Sequence, residues 1–158
     1  MSLKKEQSKK YMEEAELSIY SAQTVFDKAK EEDKDLWANV IKSCYDAIEQ
    51  AVSSAIAAKE ERIPIKHPEK INKFNELFKI SKGSNEKISF WLGKRSSAQY
   101  VDIKDDKVSV PHELFTEEDA KKALDETNEI IEEIKEIIKK EEEEKIKEKK
   151  HEKEENKK

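Results

Sequence analysis

The stretch LWANVIKSCYDAIEQAVSSAIAA, residues 36–58, decides the fold that this sequence predicts. Its apolar side chains form two adjacent helical stripes. One consists of Leu36, Val40, Cys44, Ala47 and Ala51, and the other of Trp37, Ile41, Ile48, Val52 and Ala55/Ile56. A helix that is apolar over so wide a surface must bury most of its circumference, so we expect it at the centre of a helical bundle. The alanines between Ala47 and Ala58 let neighbouring helices approach closely.

Amphipathic helices are predicted on both sides of this central helix. Residues 9–30 repeat apolar side chains at alternating spacings of three and four, the period of a helix with one buried face. Asp33 or Asp35 is expected to cap the central helix. Pro68 suits the first position of a short third helix, and the apolar spacing of residues 85–98 predicts a fourth.

The C-terminal third combines one non-helical stretch with a long helix. Residues 100–111 have the weakest helical pattern, and we expect an extended loop there rather than the loose hairpin that their alternation would also allow. Thr116 is the expected N-cap of the last helix, because three acidic residues follow it. The apolar stripe of this helix ends at Ile138.

Charge divides the chain into a folded body and a tail. Charged residues make up 44% of the sequence, and between Lys139 and Lys158 Lys or Glu fills 17 of 20 positions. We therefore expect one domain over residues 1–138 and a Lys/Glu-rich tail over 139–158 that is either a solvated helix or disordered. The predicted fold class is an all-α, up-and-down bundle of about five helices with a charged C-terminal tail.

Composition also excludes several classes of protein. The only glycines, Gly83 and Gly93, cannot build a glycine-rich phosphate loop. The lone cysteine, Cys44, cannot form an internal disulfide and suits the cytoplasm. No apolar run is long enough to span a membrane, and three scattered histidines lack the spacing of a metal site. We therefore expect neither metal nor cofactor.

Five segments, in this order, resemble the HEPN family of small helical bundles. They are Tyr11–Leu17, Cys44–Ala51, His67–Ile71 with Phe74, Arg95–Asp102 and Ala120–Leu124. The resemblance covers roughly residues 8–138. It implies an up-and-down bundle that forms a homodimer and whose cognate partner is a minimal nucleotidyltransferase, as in toxin–antitoxin pairs.

Many HEPN proteins are metal-independent ribonucleases with an arginine followed four to six residues later by a histidine. Arg95 matches the first position, but the window for the second holds Tyr100, Val101 and Asp102. An unperturbed tyrosine, with a pKa of about 10, is a poor general base. The resemblance therefore predicts a module that binds a nucleotide or RNA without cleaving it. The alternative is a divergent ribonuclease that uses Arg95 with Tyr100 or Asp102.

Arg95 also stands out because the chain uses Lys 30 times and Arg only twice. Such a bias suggests that position 95 needs the planar, multiply donating guanidinium, which suits a phosphate. Arg95 could instead form an ion pair or cap a helix C-terminus, with Asp102 or Glu49 as the partner. A third possibility is a purely structural helical protein that binds no ligand.

Three further residues are candidate ligand contacts. Tyr45 lies within the central helix, where it is either a core residue with a bonded hydroxyl or part of a cleft. His67 precedes Pro68, so it either shapes the turn or contributes a polar group to that cleft. Tyr100, like Trp91, could stack on a base or pack in the core or a dimer interface.

Overall fold

A computed structural model of the chain describes residues 2–157. Five helices of eleven or more residues, two shorter helices and one hairpin make up the described part. In chain order they are α1 (Leu3–Glu32), α2 (Trp37–Ala58), α3 (His67–Leu77), α4 (Lys82–Leu92), α5 (Arg95–Gln99), β1 (Asp102–Lys104), β2 (Lys107–Ser109), α6 (Pro111–Leu114) and α7 (Glu117–Glu155). The predicted all-α bundle is confirmed. None of the helices in this range has the length and apolar character needed to cross a membrane.

Helix α2 lies at the centre of the bundle, as its composition predicts. Fifteen of its 22 residues are buried, and its alanines have small side chains against which neighbouring helices pack. Helices α1 and α7 contribute the other large parts of the core, with Ala15, Ala22, Phe26, Ala120, Ala123, Leu124, Ile130, Ile131 and Ile134. The core therefore surrounds α2, and it includes the buried hydroxyl groups of Ser53 and Ser54.

Helices α1, α2, α4 and α7 alternate in direction, whereas α3 runs the same way as α2. The reason is the segment 59–66, which leaves the end of α2 and returns along the bundle before α3 begins. The Tyr45 hydroxyl lies 2.8 Å from His67 Nε2, at the start of α3, and Lys59 Nζ lies 5.5 Å from the ring centroid of Phe78, just after its end. This return places the first turn of α3 beside the middle of α2.

The predicted caps of α2 are wrong. Its N-cap is Leu36, which makes no side-chain capping bond, and neither Asp33 nor Asp35 takes that role. Asp33 instead ends α1 in the left-handed region, with φ 52°, and its N–H donates to the Ala29 carbonyl. Aspartate tolerates this conformation better than most residues. Asp33 therefore ends α1 instead of beginning α2.

The predicted fourth helix is broken in two. Helix α4 ends at Leu92, Gly93 and Lys94 form a turn, and a new helix, α5, begins at Arg95. Glycine weakens a helix interior because it loses more backbone entropy than other residues. The break matters for function, because α5 packs on α2 and therefore directs Arg95 toward it.

Residues 100–111 contain a hairpin, so the expected extended loop is wrong. Strands β1 and β2 pair antiparallel, with Ile103 opposite Val108. Asp105 and Asp106, with φ of 50° and 61°, form the two-residue turn that a tight hairpin requires. The Ile103 and Val108 side chains are 75% and 64% exposed, so the hairpin presents an apolar face to solvent.

Helix α7 begins as predicted and continues through the charged tail. The Thr116 hydroxyl accepts a hydrogen bond from Asp119 N–H, and the Asp119 carboxylate accepts one from Thr116 N–H, which completes a capping box. The helix ends at Glu155. Two tail residues reach the end of α2: Lys145 Nζ donates to the Ala58 carbonyl at 2.7 Å, and Glu141 pairs with Lys59 at 2.8 Å.

Candidate functional site

Four side chains that the sequence singles out surround one surface cavity of about 390 Å³: Tyr45, His67, Arg95 and Tyr100. Each comes from a different part of the chain. Tyr45 lies in α2, His67 and Arg95 begin α3 and α5, and Tyr100 follows α5. The returning segment 59–66 and the break after α4 bring these positions together. Leu92, Gly93 and Ser96 complete the lining.

Arg95 is held by neutral groups. Its Nη1 lies 3.0 Å from His67 Nε2 and donates to the Tyr45 hydroxyl at 3.4 Å. The guanidinium carbon is 5.0 Å from the centroid of the Tyr45 ring, a cation–π distance. Its Nε donates to Gln99 Oε1 at 3.4 Å. These contacts orient the guanidinium without neutralising its charge.

No carboxylate pairs with Arg95 in the part of the chain that the structure describes. The alternative reading, an ion pair with Asp102 or Glu49, is therefore wrong, because neither carboxylate is within salt-bridge distance of the guanidinium. The Arg95 side chain also donates to no backbone carbonyl within residues 2–157, so it does not cap a helix C-terminus. A cation that faces a cavity with only neutral partners retains its capacity to bind an anion.

The Glu49 carboxylate contacts two neighbouring side chains, Lys70 and His67. One of its carboxylate oxygens accepts a hydrogen bond from Lys70 Nζ at 2.9 Å, and the other lies 3.5 Å from His67 Nδ1. Burial alone would raise the pKa of Glu49, but the hydrogen bond from Lys70 and the nearby Tyr45 hydroxyl outweigh it and lower that pKa. Lys70 is almost fully buried, so the charge on Glu49 stabilises a buried cation as well as facing the imidazole.

These contacts suit a neutral His67. Since arginine nitrogens only donate, Nε2 must be the acceptor, and the ring proton then lies on Nδ1, toward Glu49. The Tyr45 hydroxyl is 2.9 Å from Nδ1 and 2.8 Å from Nε2, so it bonds with one nitrogen at a time. Burial, followed by the nearby Glu49 carboxylate, raises the pKa of Tyr45, which keeps the phenol protonated. Tyr45 is therefore a hydrogen-bond donor and not a base.

Tyr100 and Asp102 occupy different surroundings. The Tyr100 ring is 54% exposed at the mouth of the cavity, where a planar group could stack on it. Asp102 lines a separate surface cavity, with Ser97 and Lys104, and its carboxylate accepts a bond from Ile103 N–H at 2.8 Å. Tyr100 touches both cavities, but Asp102 is not one of the groups around Arg95.

The remaining sequence candidates are structural. Trp91 is buried and its indole N–H donates to Glu126 at 2.7 Å. Cys44 is fully buried, and burial raises the pKa of its thiol to about 12. Between residues 2 and 157, no three or more His, Cys, Asp or Glu side chains are arranged to hold a metal ion.

Sequence reasoning missed Lys70 and Gln99, and it considered Glu49 only as a partner of Arg95. Spacing offered a partial signal. Glu49 follows Tyr45 by four residues and Lys70 follows His67 by three, so each pair shares a helix face. Nothing in the sequence showed that the two faces meet.

The site can bind and orient an anion. Arg95 Nη2 forms no hydrogen bond within residues 2–157, so it remains a donor for a phosphate oxygen. A comparison with models of protein families finds no match, and a search of curated proteins finds no similar sequence.

Proposed function

We propose that this chain is a HEPN-like binding module that holds a phosphate group of a nucleotide or RNA in the cavity around Arg95. The observation that carries the proposal is the guanidinium of Arg95, which lies at the cavity between Tyr45 and His67 and has no carboxylate partner in the described range. A phosphate would supply an anion in direct contact with the guanidinium, which the carboxylates of Glu49 and Asp46 affect without bonding to it. The exposed ring of Tyr100 would stack on the attached base.

Binding of adenosine monophosphate and of a short single-stranded RNA, measured by calorimetry, tests this proposal. Arg95→Lys keeps the charge but loses the planar donors, and we expect about tenfold weaker binding, near the lower limit for a hydrogen bond to a charged group. Arg62→Lys is the matched control, because Arg62 lies on another surface, outside this cavity. The proposal would be contradicted if neither probe bound, or if the two variants weakened binding equally.

A second candidate function is a divergent ribonuclease. The distance that favours it is 3.0 Å between Arg95 Nη1 and His67 Nε2, since these two residues could take the roles of the family's arginine and histidine. His67 would move the proton of the 2′-hydroxyl while Arg95 holds the phosphate. Tyr100 and Asp102, the partners suggested by sequence, are less suited, because Asp102 lies apart from Arg95 and Tyr100 is a phenol.

RNA cleavage distinguishes the two functions. If the chain is a ribonuclease, cleavage products form without added metal and disappear in both His67→Ala and Arg95→Ala. If it is a binding module, RNA is bound and stays intact over a range of sequences. Cleavage that survives His67→Ala would exclude the Arg95–His67 mechanism.

The family resemblance also suggests a homodimer and a nucleotidyltransferase partner. For the homodimer, the free edge of β1 supports one arrangement: an antiparallel pair of β1 strands about Ile103 would place Asp102 of each copy opposite Lys104 of the other. Val101, Ile103 and Val108, all more than half exposed, would then be partly covered. Light scattering of the wild type and of Lys104→Asp tests this arrangement, with a dimer expected only for the wild type. The nucleotidyltransferase is tested by copurification with this chain.

A further inference from the structure

A second cavity lies on another side of the bundle, between α1, α7 and the last turns of α2. Its volume is about 280 Å³. The lining residues are Lys5, Ser8, Lys9, Met12, Ser54, Lys135, Ile138, Lys139 and Glu142. Ser54 is nine residues beyond Tyr45 on α2, about 13 Å along the helix axis, so the cavity is separate from the one around Arg95.

The inner part of this cavity is apolar. Met12 and Ile138 contribute a thioether and an aliphatic side chain. Ser8 and Ser54 are buried, and each hydroxyl donates to the backbone carbonyl of the other residue, at 2.8 Å and 2.7 Å. Because both hydroxyl protons are already committed, the inner surface has no free donor with which to bind a polar group. It suits the apolar part of a ligand.

The outer part is cationic. Lys135 pairs with Glu16 at 2.6 Å, and Glu142 adds one carboxylate to the lining, but Lys5, Lys9 and Lys139 form no ion pair within residues 2–157, so positive charge is in excess. Lys5 and Lys9 are four residues apart on α1, as Lys135 and Lys139 are on α7, and like charges at this spacing repel each other. An anion at the rim would relieve the repulsion.

We propose that this cavity binds a small anionic amphiphile, an aliphatic or aromatic body with one carboxylate or phosphate. The body lies against Met12 and Ile138, and the charged group contacts Lys9 and Lys139 at the rim. A nucleotide fits this cavity poorly, because a base would find no free hydrogen-bond donor on the inner surface. The site is therefore distinct in ligand class from the cavity around Arg95.

Calorimetry with four probes tests whether both halves of the ligand are needed. We expect octanoate and octyl phosphate to bind, and 1-octanol and inorganic phosphate to bind at least about tenfold more weakly, a difference of about 1.4 kcal/mol. Comparison of octanoate with octyl phosphate shows which anionic group the rim prefers. Equal binding of octanol and octanoate, or no binding of any probe, would overturn the proposal.

Two variants locate the binding site. Lys9→Gln/Lys139→Gln removes two of the three unpaired charges and should weaken octanoate binding about tenfold while binding of octanol stays the same. The control is Lys10→Gln, since Lys10 pairs with Glu13 on the surface of α1 and does not line the cavity. An equal loss in the control, or a loss of octanoate binding in Arg95→Lys, would show that the probe binds elsewhere.

Discussion

Tyr45 joins the core to the candidate site, because its side chain is only 1% exposed while its hydroxyl reaches His67 and Arg95. Tyr45→Phe keeps the buried ring and removes only that hydroxyl. We expect a loss of about 0.5–1.5 kcal/mol in the free energy of unfolding, the usual value of one hydrogen bond. Urea unfolding measures the loss, with Tyr20→Phe as the control, since Tyr20 is 73% exposed. If the two variants lost the same free energy of unfolding, the buried Tyr45 hydroxyl would contribute no more to stability than the exposed Tyr20 hydroxyl.

Glu49 gives a prediction that depends on pH. Its folded pKa lies below the ordinary 4.5, so ionised Glu49 stabilises the fold above that pH, and this stabilisation is lost as the pH falls through the folded pKa. Glu49→Gln leaves Lys70 buried without its anion, and the expected loss at pH 7 is about 1–3 kcal/mol, less than for a fully buried pair because Glu49 is partly exposed.

Urea unfolding of the wild type and of Glu49→Gln at pH 7 and pH 3 checks the sign. The difference between the two proteins should shrink at pH 3, below the ordinary carboxyl pKa of 4.5, because the unfolded wild type then binds a proton at Glu49 that the folded protein resists. Glu49→Gln/Lys70→Met should recover much of the loss, because the buried charge is removed with its partner. A difference independent of pH would assign the effect to packing instead of charge.

The residues of the candidate site were predictable individually but not as an arrangement. Arg95 was visible because arginine is rare in this chain, and His67 because it stands between a turn and a proline. Their contact depends on the path of residues 59–66, which carries the start of α3 back to Tyr45. Local spacing does not predict that path. From the sequence, a histidine partner for Arg95 could therefore be sought only among residues close to it along the chain.

Among the elements, the capped start of α7 was predicted at Thr116, whereas the starts of α1 and α4, capped by Ser2 and Ser81, were predicted several residues too late. Thr116→Ala removes one half of the capping box of α7 and should lower the free energy of unfolding by about 1 kcal/mol. Thermal unfolding tests this, with Thr24→Ala as the control. Thr24 lies in the middle of α1, and its hydroxyl bonds to the carbonyl four residues earlier, so alanine there should have little effect or a small gain. A loss in Thr24→Ala as large as in Thr116→Ala would contradict a capping role.

Boundaries between elements were harder, since the energies that set them are small. A single glycine, Gly93, divides the predicted fourth helix, although glycine in a helix costs only about 1 kcal/mol. In the same way, Asp105 and Asp106 accept the left-handed conformation that closes the hairpin, where asparagine or glycine would have been the clear signal. Packing against α2 decides such cases, and packing is not a local property.

On the scale of the whole molecule, the charged tail is less separate from the bundle than its composition suggests. The apolar stripe of α7 ends at Ile138, yet Glu141 and Lys145 contact the end of α2. Lys145 bonds the Ala58 carbonyl, one of the helix-end acceptors that α2 cannot satisfy internally. A cation there also interacts favourably with the negative end of the helix dipole. The first turns of the tail therefore belong to the folded body.

Two truncations test where the folded body ends. Removal of residues 147–158, which are exposed over the described part, should change the free energy of unfolding by less than about 0.5 kcal/mol. Removal of residues 139–158 should lower it by about 1–3 kcal/mol, because α2 then loses the bond from Lys145 and Lys59 loses Glu141. Lys145→Ala in the full chain should reproduce most of that loss, whereas Lys147→Ala should not. If both truncations were equally harmless, the contacts of the tail with α2 would not contribute to stability and the body would end at Ile138.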